Sequence, residues 1–541
     1  MTNRINKSPF TLSLSVQIYI CLVLVLVLTG VQTRAEYQLH TVILPEDLVL
    51  EVSGMDNLPD GRMVLTTRRG EVWVLSNPDE PTSATASTPR FERWLTGLHE
   101  PLGLSFHKMA LYVAQRSEIT RIPLREVNGA LEPVGRIETA ATGWGLSGNY
   151  HEYAYGPAFD GDGRAWVTLN ASIGKGLDGA PPAYSGWRGW ALAFNLRPEL
   201  PTIDLTPMAH GLRSPAGIAS VRNGEIFATD QQGNWIPTCS LIHLNQGNGP
   251  FFGHRDSLGQ IPTDWHLVGG GDNTRESPAS DIIETAEAME EYYSGSQPAM
   301  TVAEAVRRIP GYRPPAIWFP YRTMGMSATG IAEDTSGGAF GPFSGQVFVG
   351  EFTMSMVLRV HLERVGGIYQ GSCIRFMEGL DSAAFRLAFS HGHRLFIGQT
   401  NRGWNSLGNR AYGLQFIEWN ESRNTLPEIE YLELAPDGDG FDVHFTRAVK
   451  AIPDPGDIGV SAYTYRLHQA YGSEQVVDFN PEIVKVAGGV GSHGEALHLT
   501  IEPMMPGYVY ELDFSGVKLS GGDSPMHPVV CYTLNSLPGK E

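Results

Sequence analysis

A short apolar strand recurs six times along the chain with the same punctuation, and this repetition restricts the fold more than any other feature. The copies are Met63-Val-Leu-Thr-Thr, Leu111-Tyr-Val-Ala-Gln, Ala165-Trp-Val-Thr-Leu, Ile226-Phe-Ala-Thr-Asp, Val347-Phe-Val-Gly-Glu and Leu395-Phe-Ile-Gly-Gln. Most follow a turn such as Pro59-Asp60-Gly61-Arg62, Asp160-Gly161-Asp162-Gly163 or Arg222-Asn223-Gly224-Glu225, and most precede another strand. Short strands repeating every 40–50 residues or so are the pattern of a β-propeller with one blade per copy. Six copies predict an all-β, six-bladed propeller.

In a propeller, equivalent positions of successive blades converge on one axial mouth. Ahead of four of the six copies lies an apolar, Gly-containing run that reads as the innermost strand of the blade, with a polar residue leading into it. These leaders are His99 before Pro101-Leu-Gly-Leu-Ser-Phe, His151 before Tyr153-Ala-Tyr-Gly-Pro-Ala-Phe, Arg213 before Pro215-Ala-Gly-Ile-Ala, and Arg386 before Leu387-Ala-Phe. Two imidazoles and two guanidiniums are therefore expected around one cavity. Glu351 and Gln399, at the ends of their strands, are expected at the same level. Asp230 reads either as a metal ligand or, on the commoner pattern, as the cap of a blade turn.

The N-terminus carries Arg4 and Lys7, an apolar stretch from about Val16 to Leu28, and Thr33-Arg34-Ala35. That order fits a secretory signal peptide over residues 1–35, cleaved after Ala35, and so a protein exported to the periplasm or the extracellular space. The alternative is a retained membrane anchor, against which stands the lack of a basic stop-transfer flank. The remaining cysteines, Cys239, Cys373 and Cys531, form an odd set that builds neither a disulfide scaffold nor a four-cysteine zinc site. A net charge of −19 repels phosphate backbones and excludes nucleic acid as a natural partner.

The propeller is expected over residues 36–423. Beyond Asn424 the pattern changes to period-two alternation, with Phe441, Val443 and Phe445, then Leu497, Leu499 and Ile501, then Tyr508, Tyr510, Leu512 and Phe514. Residues 424–541 thus read as a small immunoglobulin-like β-sandwich, an accessory domain. Tyr463, Tyr465 and Tyr471 suggest either a glycan contact through this domain or simple packing. His444 and His498 alternate outward and are expected to face solvent. Between the fourth and fifth inner strands, residues 254–314 form an insertion in which Ser280 to Glu290 reads as one helix. Thr301-Val-Ala-Glu304 reads as the capping box of another.

The segments Gly211-Leu-Arg-Ser-Pro-Ala-Gly-Ile-Ala, Gly224-Glu-Ile-Phe-Ala-Thr-Asp-Gln-Gln-Gly and Gly249-Pro-Phe-Phe-Gly-His resemble a blade of the soluble glucose and sorbosone dehydrogenases that use pyrroloquinoline quinone (PQQ). His151, followed by Gly156-Pro157 and Val167-Thr168, resembles the segment carrying that family's catalytic histidine. Gly366-Gly-Ile-Tyr-Gln-Gly and Gln399-Thr-Asn-Arg-Gly-Trp extend the likeness to the membrane-associated dehydrogenase-like propellers of planctomycetes and verrucomicrobia. The resemblance implies oxidation of an aldose or sugar aldehyde by hydride transfer, with electrons passed to an external acceptor, since the chain has no Cys-x-x-Cys-His motif for a haem.

Histidine suits the base in such a reaction, because its pKa lies near working pH, and guanidiniums suit a tricarboxylate cofactor. On this reading His151 is the base and Arg213 polarises the quinone oxygens. Arg386, Gln231, His99 and Asn170 would contact the cofactor. The resemblance further implies a calcium ion held by main-chain carbonyls near Gln232 and Gly233. The chain departs from the family in three places, one of them the reduction of the family's paired arginines to Arg386. Asn170 stands near the position of an aspartate that orients the histidine, and Thr353 or a neighbour stands where the family has a lysine. Two alternatives remain open: a calcium-dependent lactonase-like hydrolase using Glu351, Asp230 and Asn170, and a non-catalytic propeller that binds glycan or protein.

Overall fold

The computed structural model describes residues 37–80, 90–173, 185–197, 205–246, 249–255, 257, 299–309, 311–420, 426–488 and 495–539. The six repeated segments become the second strands of six antiparallel sheets. Blade 1 comprises Val52–Asn57, Met63–Thr67, Val72–Ser76 and Arg90–Leu95; blade 2 comprises Leu104–His107, Ala110–Ala114, Glu118–Val127 and Glu138–Thr142, with Ala130–Pro133 as a side hairpin. Blade 3 holds Ala154–Phe159, Ala165–Leu169, Trp190–Phe194 and Thr206–His210, and blade 4 holds Gly217–Val221, Glu225–Asp230, Cys239–His243 and Ile317–Phe319. Blade 5 begins with Ala328–Glu333, Val347–Glu351, Met356–Val365 and Ile368–Met377.

Blade 6 is assembled from both ends of the propeller. Its strands Ala384–Phe389, Leu395–Thr400 and Tyr412–Trp419 are completed by Tyr37–Thr41, which pairs in register from Tyr37 opposite Trp419 to Thr41 opposite Gln415. The first residues described therefore clasp the last blade, and the hydrogen bonds of that ladder hold the circle shut. The innermost strand of each blade touches that of the next, from blade 1 round to blade 6 and back to blade 1.

Glycines in these inner strands allow the close approach. A Cβ on Gly103 would sit 2.1 Å from the Gly156 carbonyl oxygen, and one on Gly217 would sit 2.0 Å from that of Thr329. Neither neighbour is a side chain that could swing away, so only glycine fits.

The strands after the propeller pack as two sheets. One consists of Ile429–Leu434, Gly440–Phe445, Ala496–Glu502 and Glu482–Gly488. The other, Gly459–Tyr463, Tyr508–Asp513 and Val529–Leu534, is not separate from the propeller. Val529–Leu534 pairs with Ile368–Met377, so blade 5 continues into the sandwich as one seven-stranded sheet. The alternating residues Phe441, Val443, Phe445, Leu497, Leu499, Ile501, Tyr508, Tyr510, Leu512 and Phe514 all enter the buried core between the two sheets. Buried Arg359 of blade 5 ties the first of these sheets on by donating to the carbonyls of Glu430, at 2.6 Å, and of Ile429. Cys373 and Cys531 face each other across the joining ladder; both are free and buried, as is Cys239.

In the insertion, the helix Val302–Arg308 starts on the expected capping box: Thr301 Oγ1 accepts from the Glu304 amide and Glu304 Oε2 accepts from the Thr301 amide at 2.8 Å. The helix expected from Ser280 to Glu290 lies outside the described residues. His444 and His498 do point outward but are only half-exposed, because carboxylates claim them: His498 Nδ1 lies 2.8 Å from Asp442, and His444 Nε2 lies 3.5 Å from Glu433.

Candidate active site

At one end of the propeller axis the loops that start the inner strands and leave the second strands enclose a cavity of about 610 Å³. That size suits a small-molecule site. His151, Arg213, Asn170, Gln231 and Gln232 all line it, which brings five of the eight expected site residues into one place.

His151 is half-buried. Its ring bonds the Ile173 backbone carbonyl, and its pKa is lowered by burial and by the nearby charges of Arg213 and Arg116, the Ile173 bond working the other way. The shift favours the neutral imidazole, with one ring nitrogen directed to a backbone carbonyl. Asn170 does not orient it. The Asn170 side chain is buried and donates instead to Ser214 Oγ at 3.3 Å, leaving Oδ1 buried without a partner.

Arg213 is held by main chain and by shape. Asp230 accepts the amides of Arg213 and Ser214 at 2.9 and 2.6 Å, and also that of Gln231. Burial pushes the Asp230 carboxyl up to about 6, against the pull of these amides. Asp230 is therefore the turn cap rather than a metal ligand. Gly233 leaves the room that the guanidinium occupies, since a Cβ there would fall 1.7 Å from Arg213 Nε. That Nε is buried and has no hydrogen-bond partner. A buried donor and a buried acceptor left open on one cavity wall, Arg213 Nε and Asn170 Oδ1, mark a place where a ligand completes the polar network.

Three expectations need correction. Arg386 does not reach into this cavity. Its guanidinium is buried on the axis and donates at 2.8–2.9 Å to the carbonyls of Ser53, Ala216, Phe385 and Leu102, carbonyls from blades 1, 4, 6 and 2. With four of its five N–H donors spent on main chain, it plugs the channel rather than facing a cofactor carboxylate. Burial lowers its pKa to about 10. His99 is exposed and away from the cavity, with its amide donating to Gln115. The Gly233 carbonyl accepts the amides of Ile236 and Gly472, so the loop from the sandwich occupies the oxygen expected to face calcium.

Glu351 and Gln399 also turn away from the mouth. Glu351 accepts the amides of Met326 at 2.7 Å, Ser327 and Met354, and Gln399 donates to Gln415 Oε1 at 2.7 Å. With Glu351 and Asp230 both committed to backbone amides, the carboxylate cluster of a lactonase-like hydrolase is not assembled. Among the described residues no group of three His, Cys, Asp or Glu side chains could hold a metal ion.

The structure adds cavity residues that the sequence reading did not single out: Arg68, Arg402, Tyr150, Tyr321 and Trp404, with Tyr153, Tyr155, Phe352 and Phe385. Thr353 lines it as well. Arg68 donates to Glu100, to Tyr153 Oη at 3.2 Å and to the Arg402 carbonyl at 2.5 Å, and Glu100 also receives Arg116 at 3.0 Å. The signal for several of these was positional. Arg68, Asn170, Gln231, Thr353 and Arg402 all stand one or two residues past the end of a second strand, in blades 1, 3, 4, 5 and 6. Aligning the six copies beyond their last strand residue would have found them.

No protein-family model matches the chain, and no curated protein matches its sequence. Solved structures do resemble it. The PQQ-bound aldose sugar dehydrogenase of Streptomyces coelicolor is 15% identical, covers 71% of this chain and 99% of its own, and superposes with a TM-score of 0.44. A calcium structure of a carbohydrate-active enzyme of Trichoderma reesei is 12% identical over 71% and 96%, with a TM-score of 0.45. The PQQ domain of the Coprinopsis cinerea pyranose dehydrogenase, in its holo form, is 9% identical over 71% and 95%, with a TM-score of 0.42. At this distance the chemistry of the present chain has to be argued from its own residues, on an all-β propeller fold.

Proposed function

We propose that this protein is an exported quinoprotein-type dehydrogenase that oxidises a hydroxyl of an aldose or related sugar, with PQQ as cofactor. The observation that carries the reading is that one cavity is lined by an imidazole whose surroundings favour the neutral form and by a guanidinium whose buried Nε lacks a partner. The donor set fits a flat polyanion. Arg213 supplies positive charge, beside Arg68 and Arg402 that are already paired with Glu100 and Glu51; Gln231 and Asn170 supply hydrogen bonds, and Tyr155, Phe352 and Phe385 supply aromatic faces.

When bound, PQQ would supply a two-electron centre that accepts hydride. The protein's part is proton handling and charge. His151 takes the hydroxyl proton on the ring nitrogen that does not bond Ile173, so the bonded carbonyl fixes the tautomer. Arg213 offers its open, buried N–H to negative charge in the cavity. Electrons then leave to an external acceptor. Calcium belongs to the same proposal, with Gln232 on the cavity wall and the Gly233 oxygen excluded by its two amides. The leader-like segment ending at Ala35 supports export, and the likeness to dehydrogenase-like propellers of planctomycetes and verrucomicrobia supports a common descent.

The test is reconstitution of the mature protein with PQQ and calcium chloride, followed by dye reduction over a panel of aldoses. Cofactor uptake with dye reduction that is lost in His151→Ala supports the reading. Absence of any uptake by absorbance titration overturns it.

A further inference from the structure

Four aromatic side chains stand exposed around the mouth of the cavity, each from a different segment. Trp404 is 66% exposed, Tyr471 63%, Tyr150 55% and Tyr321 37%, yet all four line the cavity. Exposed rings of this size cost solvation unless something covers them, and such a group on one rim marks a binding surface.

None of the four is carried on a loose tip. Tyr471 belongs to the sandwich and is pinned over the propeller: Gly472 and Ser473 donate to the Gly233 and Pro237 carbonyls at 3.0 and 2.9 Å, and Asn234 Nδ2 donates to Gln469 at 2.7 Å. Its ring lies 5.3 Å from the Arg213 guanidinium. The Trp404 loop is braced by Asn401, whose Oδ1 accepts from Ser406 at 2.7 Å and Ser382 at 3.0 Å, while its Nδ2 donates to the Arg410 carbonyl at 2.8 Å. Arg116 donates to the Tyr150 carbonyl at 2.8 Å, and the turn after Tyr321 closes by the Arg322 amide donating to the Gly325 carbonyl at 3.0 Å. A rim held this way presents its faces without a further ordering cost on binding.

We infer that this rim is a binding platform for a neutral oligosaccharide chain, whose end enters the cavity while the following sugars lie on the exposed rings. Pyranose rings offer a C–H face that matches an aromatic face, and their hydroxyls match the hydrogen-bonding groups set between the rings, Arg402 and Gln231 among them. The net charge of −19 opposes a polyanionic chain and leaves a neutral one as the occupant. The inference names the substrate class of the dehydrogenase reading and, as regards oxidation, rests on it. Binding itself does not.

The experiment titrates the full mature protein, without cofactor, with glucose, maltohexaose and cellohexaose, by calorimetry and by the change in tryptophan fluorescence that is lost in Trp404→Ala. The expected result is that one hexasaccharide binds at least tenfold more tightly than glucose. Trp404→Ala and Tyr471→Ala should each weaken the hexasaccharide by about 3- to 10-fold, a larger loss than the same substitution causes for glucose. Equal affinity for glucose and both hexasaccharides, or hexasaccharide binding indifferent to both substitutions, overturns the inference. So does tighter binding of hexaproline, which would assign the rim to a peptide. The two readings fail separately. Hexasaccharide binding without dye reduction on reconstitution would remove the dehydrogenase and keep the platform, whereas oxidation of monosaccharides with no gain from chain length would do the reverse.

Discussion

The two ends of the propeller axis are built from the same six inner strands, yet they differ in kind. At one end the cavity of about 610 Å³ is lined by residues that lie before the inner strands and after the second strands, among them His151, Arg213, Arg402 and Trp404. At the other, a cavity of about 370 Å³ is lined by the inner strands themselves, through residues such as Gly54, Leu104, Ala158, Ile218 and Ala388. Arg386 divides them, satisfied by four carbonyls. Side chains in the strand bodies must let neighbouring backbones meet and are mostly small or apolar, with Asp56, Asn57 and Arg386 as polar exceptions. Side chains in the loops are free of that demand, and there the polar groups accumulate.

The contrast is tested most severely at His151. His151→Ala should lower kcat of the reconstituted enzyme by about 10²- to 10⁴-fold while cofactor uptake persists, as expected for loss of a general base. Equal loss of uptake would make it a binding group instead. Arg386→Met should do the opposite. It leaves four carbonyls facing a dry channel and should destabilise folding by about 3–5 kcal/mol, measured by denaturant unfolding, because a buried charge network is broken from one side.

Arg213→Ala should weaken PQQ uptake by about 10- to 100-fold, the worth of a charged hydrogen bond, with little change in melting temperature. The charge of Arg213 also bears on pH. His151 must be neutral to accept a proton, and its lowered pKa keeps it neutral below the ordinary value of about 6.5, so the acid limb of kcat/KM should have its midpoint below that value. Removing a positive neighbour favours the imidazolium. In Arg213→Gln an NMR titration of the His151 ring should therefore move upward. The smallest effect is expected for Trp404→Ala on stability, within about 0.5 kcal/mol, because the indole is mostly exposed and the Asn401 brace is main chain and polar.

Residues 463–471 show how far the sequence could be read. Tyr463, Tyr465 and Tyr471 looked alike, three tyrosines near one another in a β-rich region. Tyr463 and Tyr465 pack in the core against blade 5 and the helix Val302–Arg308, at 2% and 1% exposure, whereas Tyr471 stands over Arg213. Period-two alternation marks burial along a strand, but Tyr471 lies past the strand pair, where the loop's hydrogen bonds to Gly233 and Pro237 set its direction. Likewise Arg213 and Arg386 looked alike as residues leading into inner strands, yet Arg386 is the third residue of Ala384–Phe389, opposite Gly398, whereas Arg213 precedes Gly217–Val221 by four residues. Which of the two finds carbonyls and which finds open space depends on the blades opposite.

What the sequence determined by itself was the repeating unit. Period-two strands punctuated by Asp-Gly and Asn-Gly turns, with glycines where inner strands meet, specify all-β sheets that share an axis, because those preferences act over a few residues. The tertiary structure alone decided which polar residues share a cavity, that Arg386 seals it from below, and that the sandwich joins blade 5 and sets Tyr471 at the rim. Those outcomes depend on contacts between residues hundreds of positions apart, such as Arg386 with Ser53 and Asn234 with Gln469, and no local pattern encodes them.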